Sequence, residues 1–108
     1  MTRLEFEELI QEYLREEMVL LTNNGKEYTR EDPDVLKNFK RIGRDLKLPM
    51  EAVWAVYFQK HADAIMNYCS NGGKVHSDEP IRKRIQDARN YLMLLAARVE
   101  ELEREANL

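Results

Sequence analysis

Apolar residues recur at helical spacing in four stretches of this chain, and short polar, glycine- or proline-bearing breaks separate them. Leu4, Leu9, Ile10, Tyr13, Leu14 and Met18 lie on one side of a first helix expected over residues 3–22. Thr2 and Glu5 stand at the spacing of a capping box at its start. Thr22-Asn23-Asn24-Gly25 stops it, with Gly25 able to take a left-handed cap. Asp32-Pro33 reads as an N-cap followed by proline at the first helical position, opening a second helix to about Leu46. Its apolar face is Val35, Leu36, Phe39, Ile42 and Leu46. Pro49 opens a third helix to Ser70, where Val53, Tyr57, His61, Ala64, Ile65 and Tyr68 form the stripe and Trp54 and Phe58 widen it. Asn71-Gly72-Gly73 ends that helix. A fourth runs from Pro80 to about Ala106, and Ile81, Ile85, Ala88, Leu92, Leu95, Val99 and Leu102 follow a heptad seam along it. Tyr91, Leu94 and Ala96 broaden the seam, so the helix is expected to pack on several neighbours. The pattern predicts an all-α fold: a single four-helix domain over residues 1–108, bundle-like, with a long C-terminal helix.

Composition narrows the class without changing that outline. A chain of 108 residues suits one modest core, and 34% charged residues describe a solvated surface. A formal net charge of −3 speaks against general nucleic-acid binding. The single cysteine, Cys69, excludes an internal disulfide framework and suits a reducing compartment; next to Tyr68 in a periodic segment it is expected to be packed and inert. No apolar run is long enough to span a membrane, and the acidic stretch MTRLEFEEL has no apolar run of the kind a secretory signal carries. A cytoplasmic protein is expected.

Candidate chemistry begins at the fourth helix, which is charged against its own dipole. Arg82, Lys83, Arg84 and Arg89 crowd its start, and Glu100, Glu101, Glu103 and Glu105 crowd its end. Two readings stay open. The cations are a solvated face neutralised by neighbours such as Asp78 and Glu79, or they join free backbone N–H groups in an anion site, with Lys74 and His76 on the preceding loop. His61 lies on an apolar stripe, where a histidine is either a hydrogen-bonded core residue or a ligand awaiting partners. Asp87, beside the Ile85/Ala88 seam, needs a partner when half-buried, and Arg84, Lys83 or Lys60 can supply one; a metal-ligand or general-base role is the alternative. Glu8, Glu12 and Glu16 share one stripe of the first helix and offer Mg²⁺ a weak site at best.

The order of these features resembles the small phage and prophage helical proteins known as nucleotide-modification-associated or MazG-like, relatives of the all-α NTP pyrophosphohydrolases. Over residues 5–100 the resemblance rests on Glu27-Tyr28, Asn38-Phe39, Lys60-His61, Ser77-Asp78-Glu79-Pro80-Ile81 and Asp87-x-x-Asn90-Tyr91-Leu92. It implies a helical fold that handles nucleotides, often as an oligomer with sites between subunits. Such enzymes hold Mg²⁺ with an E-E-x-x-E set and a later E-x-x-D set. The later set here would be Arg84-Ile85-Gln86-Asp87, with arginine where the first acid belongs, and the earlier set has no clear counterpart near Lys60-His61.

The resulting expectation is a phage-type protein that binds or sequesters nucleotides or other phosphates. Lys60, His61, Lys74, Arg82 and Arg84 would hold phosphate, Tyr28 or Tyr91 would stack on a base, and Asn90 lies in the same motif. No cofactor is expected; Mg²⁺ enters only if Glu79 and Asp87 support hydrolysis, which would make the chain a pyrophosphohydrolase with altered ligands. The other alternative is a helical protein–protein interaction module, a phage-encoded inhibitor or adaptor using its acidic first helix. The heptad-bearing last helix and charged tail favour a homo-oligomer.

Overall fold

The computed structural model describes residues 1–24, 34–74 and 80–108. These form four helices, α1 (Arg3–Val19), α2 (Lys37–Leu46), α3 (Met50–Ser70) and α4 (Ile81–Ala106), with no strand among the described residues. The all-α, four-helix, bundle-like architecture with a long last helix is the expected one. The Asp32-Pro33 start and Gly25 lie outside the described residues.

Each terminus follows from local chemistry. Thr2 Oγ1 accepts from the Glu5 backbone N–H at 3.1 Å, the N-cap half of the capping box. Past Val19 the chain continues as a turn of π-helix, Leu20–Asn24. There the Thr22 hydroxyl donates back to the Met18 carbonyl, which disturbs the ladder at that point. Residues 34–36 precede the helix and α2 starts at Lys37, because the Asp34 carboxylate accepts from the Leu36 N–H at 2.9 Å and turns the chain just before it. At the end of α3, Gly72 and Gly73 have φ of 63° and 83°. The Gly73 N–H donates to the Tyr68 carbonyl at 3.0 Å and Gly72 to Cys69 at 3.2 Å, a Schellman closure.

The α2–α3 corner repeats that closure with a residue less suited to it. Lys47 sits at φ 58°, ψ 44°, while Leu48 N–H donates to the Gly43 carbonyl at 2.8 Å. A Cβ added at Gly43 would lie 2.7 Å from the Leu48 carbonyl oxygen. The two positions therefore predict opposite outcomes in thermal melts. Gly43→Ala should cost about 1–3 kcal/mol, because backbone and not a flexible side chain must move. Lys47→Gly should raise stability by up to about 1 kcal/mol by removing left-handed strain. Equal melting temperatures for the two variants would contradict this account.

The core is small and lies where α2, α3 and α4 meet. Leu36, Met50, Val53, Trp54 and Ala88 are its buried apolar residues among those described. Trp54 is its centre and not a flank: it stacks on Phe58 at 4.8 Å and donates its indole N–H to the Tyr91 carbonyl at 2.7 Å. α3 and α4 make the most extensive helix pairing, α2 rests on α3, and α1 touches α4 least. The expected apolar faces are only partly covered. Leu4, Phe6, Leu14 and Met18 of α1 are exposed, as are Val35 and Leu46 beside and on α2. On α4 the heptad positions Ile85, Leu92, Val99 and Leu102 are exposed, so the seam is half open and not packed on neighbours throughout. Cys69 is also exposed, which corrects the expectation of a packed thiol: it falls beside the stripe that His61 and Tyr68 mark, and not on it.

Candidate functional site

The cations at the start of α4 divide between two neighbourhoods. Arg82 turns to α1, where its guanidinium meets Glu16 at 2.9 Å and Glu12 at 3.6 Å and lies 4.4 Å over the Tyr13 ring. The Glu16 carboxylate raises the Arg82 pKa above its already high value. Arg89, two turns on, also leans over Tyr13 and pairs with the buried Glu17. Lys83 pairs along its own helix with Asp87 at 3.2 Å. Carboxylates of α1 thus neutralise Arg82 and Arg89, and Asp87 neutralises Lys83; Asp78 and Glu79, the neighbours expected to do so, lie outside the described residues. The stripe of Glu12 and Glu16 faces arginine, and no group of three or more His, Cys, Asp or Glu residues converges among the described residues.

The second neighbourhood is the seam between α3 and α4. Arg84, Asp87 and Tyr91 succeed one another at steps of three and four on α4, which puts them on one face. Across from them His61 is buried, its ring 5.1 Å from that of Tyr91. Phe39 closes the cluster, edge-on to Tyr57 at 5.9 Å and to Tyr91 at 6.2 Å. Burial raises the Tyr91 phenol pKa, and the Asp87 carboxylate and Tyr57 push it further the same way. The phenol is therefore held neutral, a hydrogen-bond donor at any physiological pH.

Of the residues singled out from sequence, the fold brings together His61, Tyr91 and Asp87, with Arg84 on the same face of α4 about two turns before Tyr91. Lys60 is exposed beside His61 in the chain, and Lys74 is exposed just past the α3 cap. Asn90 turns aside, accepting from the Gln86 amide at 3.3 Å. Arg82 belongs to the α1 contact. Tyr28, Glu79 and His76 lie outside the described residues. Asp87 has the partner that a half-buried carboxylate requires, in Lys83.

Sequence reasoning missed a run of charges at the other end of the seam. Asp34 and Glu101 both meet the Lys40 ammonium at 2.8 Å, and Arg98 joins Glu101 at 2.9 Å to Glu51 at 2.5 Å. Only the Arg98/Glu101 spacing on one helix hinted at it. Arg98 holds Glu51 below the usual carboxylate range, and Lys40 does the same chiefly for Glu101. Asp34 and Glu101 raise Lys40 in turn. Lowered carboxylate pKa values mean stability that is present above the ordinary value and lost as pH falls through the folded one; the raised lysine loses its share only above its own ordinary range. The urea midpoint should therefore hold steady from about pH 6 to 9 and fall below about pH 4. Arg98→Met should make the acid limb shallower, and identical acid limbs would show that the run adds nothing.

No protein-family model, curated protein or solved structure matches this chain.

Proposed function

We propose that this chain binds a nucleotide or another phosphate-bearing ligand at the α3–α4 seam, as a MazG-like helical protein that holds its ligand without hydrolysing it. The observation that supports this is the meeting of His61 with Tyr91, from two motifs far apart in sequence, at 5.1 Å. Arg84, with its Nε and Nη1 buried, puts a positive charge on the seam face of α4, Lys60 is exposed on α3, and the neutral Tyr91 phenol and the His61 ring offer polar edges within an aromatic wall. Asp87, already paired with Lys83, is the one carboxylate of the seam face Arg84–Asp87–Tyr91, and among the described residues no group of three or more His, Cys, Asp or Glu converges that could hold a metal clamp.

Calorimetric titration with mono-, tri- and cyclic nucleotides, with and without Mg²⁺, tests the reading. Binding should weaken about tenfold or more in Arg84→Ala, the loss of one charge-assisted contact. Arg82→Ala should leave it unchanged, because Arg82 serves α1. Absence of heat with every nucleotide would sink the proposal. Pyrophosphate release from dNTPs that disappears in Asp87→Asn would replace it with the altered-ligand pyrophosphohydrolase.

A second reading, an interaction module, draws on α1. Its apolar residues Phe6, Ile10 and Leu14 repeat every four residues and are exposed, flanked by Glu5, Glu7, Glu8 and Glu12. Such a face suits a basic, amphipathic partner helix. Loss of that partner on Phe6→Ser with Ile10→Ser, at unchanged helicity, would support it.

A further inference from the structure

We propose that α1 is a charge-latched strap: it docks on α4 through arginine–carboxylate contacts and lifts away, with α2, α3 and α4 still folded, when those contacts weaken. The inference does not depend on the ligand proposed for the α3–α4 seam.

The first ground is what α1 buries. Glu17 is its one buried residue, whereas Leu4, Phe6, Leu14, Met18 and Val19 are exposed and Leu9 and Tyr13 only half-buried. A helix docked by the hydrophobic effect buries apolar side chains at the centre of its contact, as α3 does with Val53 and Trp54. On α1 a carboxylate holds that place. Its loss of water is offset by Arg89 and not by apolar burial, which leaves the docked and released states close in free energy.

The second ground is what holds α1 down. Among the described residues its polar ties to α4 are arginine–carboxylate pairs and the Tyr13 ring. Arg82 meets Glu16 at 2.9 Å and Glu12 at 3.6 Å, Arg89 meets Glu17, and both guanidinium groups lie over Tyr13, at 4.4 and 5.6 Å. The Arg82, Glu12 and Glu16 side chains are 44%, 52% and 44% exposed, so dissolved salt reaches and screens them. The contact between α1 and α4 is also less extensive than that of α2 with α3 or α3 with α4.

The third ground is connection. The path from α1 to α2 leaves through the π-helical turn Leu20–Asn24, where the Thr22 hydroxyl competes for the Met18 carbonyl. Helices bend at such interruptions. None of the described buried apolar residues belongs to α1: Leu36 precedes α2, Met50, Val53 and Trp54 lie on α3, and Ala88 on α4. Release therefore takes no buried apolar side chain out of the core. It turns Arg82 and Arg89 from paired residues into a basic face of α4.

Hydrogen exchange of the full chain, resolved by peptide mass spectrometry, tests the latch at two salt concentrations. Between about 0.1 M and about 1 M NaCl the screening length falls from about 10 Å to about 3 Å. The α1 amides should exchange about tenfold faster at the higher salt, because a released helix of 17 residues frays. The α3 amides should keep their rate. Arg82→Ala at the lower salt should release α1 to a similar extent. Lys83→Ala removes a cation paired along α4 itself and should leave α1 as it was. Rates in α1 that ignore either the salt or Arg82→Ala overturn the proposal. So does an acceleration that α3 shares, since α1 would then belong to one cooperative unit. An equal acceleration in Lys83→Ala overturns the latch as its cause.

Discussion

Trp54→Ala should cost about 3–5 kcal/mol, because it removes the largest side chain from a core with few others. Leu36, Met50, Val53 and Ala88 are the remaining buried apolar residues among those described, and none of them bridges two helices with a hydrogen bond. Domains of this kind hold only about 5–15 kcal/mol in total, so the variant should lose most of its cooperative unfolding transition. Trp54→Phe separates the two contributions. It keeps the aromatic stack on Phe58 and loses the donor to the Tyr91 carbonyl, at about 1 kcal/mol beyond the volume change. Urea unfolding followed by circular dichroism, at fixed protein concentration, checks both. A Trp54→Ala midpoint equal to that of the unmodified chain would mean the α3–α4 contact is not where stability resides.

The pair between α1 and α4 should respond asymmetrically to removal of its two halves. Glu17 is buried and Arg89 half exposed. Arg89→Ala strands a carboxylate away from water, at about 2–3 kcal/mol, toward the lower end of what breaking a fully buried pair costs. Glu17→Leu leaves an arginine that solvent still reaches and that still lies over Tyr13, so about 1 kcal/mol or less is expected. The same urea series measures both, and a larger loss for Glu17→Leu than for Arg89→Ala would reverse the argument. A cycle including the double variant isolates the coupling.

The helices were readable because their ends are chemically local. Thr2 with Glu5, Pro49, Pro80 and Gly72-Gly73 each act within a turn of the chain, and each acts as expected. The start of α2 was less so, because the Asp34 carboxylate turns the chain at Leu36 and defers the helix to Lys37. Exposure was read worst. The apolar stripe of α1 and the heptad row of α4 predict a buried seam, since periodicity records which residues share a face without recording whether a partner covers it. Cys69 shows the same gap, one position off the stripe. Of the candidate site, the pairing of His61 with the Asp87–Tyr91 face was implicit in two separate motifs. That the α4 cations answer to Glu12, Glu16 and Glu17 was not, because long side chains on different helices carry no sequence register.

Trp54 is the chain's single tryptophan, and its indole is at once stacked, hydrogen-bonded and enclosed at the α3–α4 contact. Its emission is therefore an internal gauge of that contact alone. Ligand entry beside Tyr91 would perturb the carbonyl to which it donates and shift the colour of its fluorescence. Association through a face away from that contact would slow its tumbling and raise its anisotropy at constant colour. One native fluorophore thus distinguishes occupancy from assembly without any label.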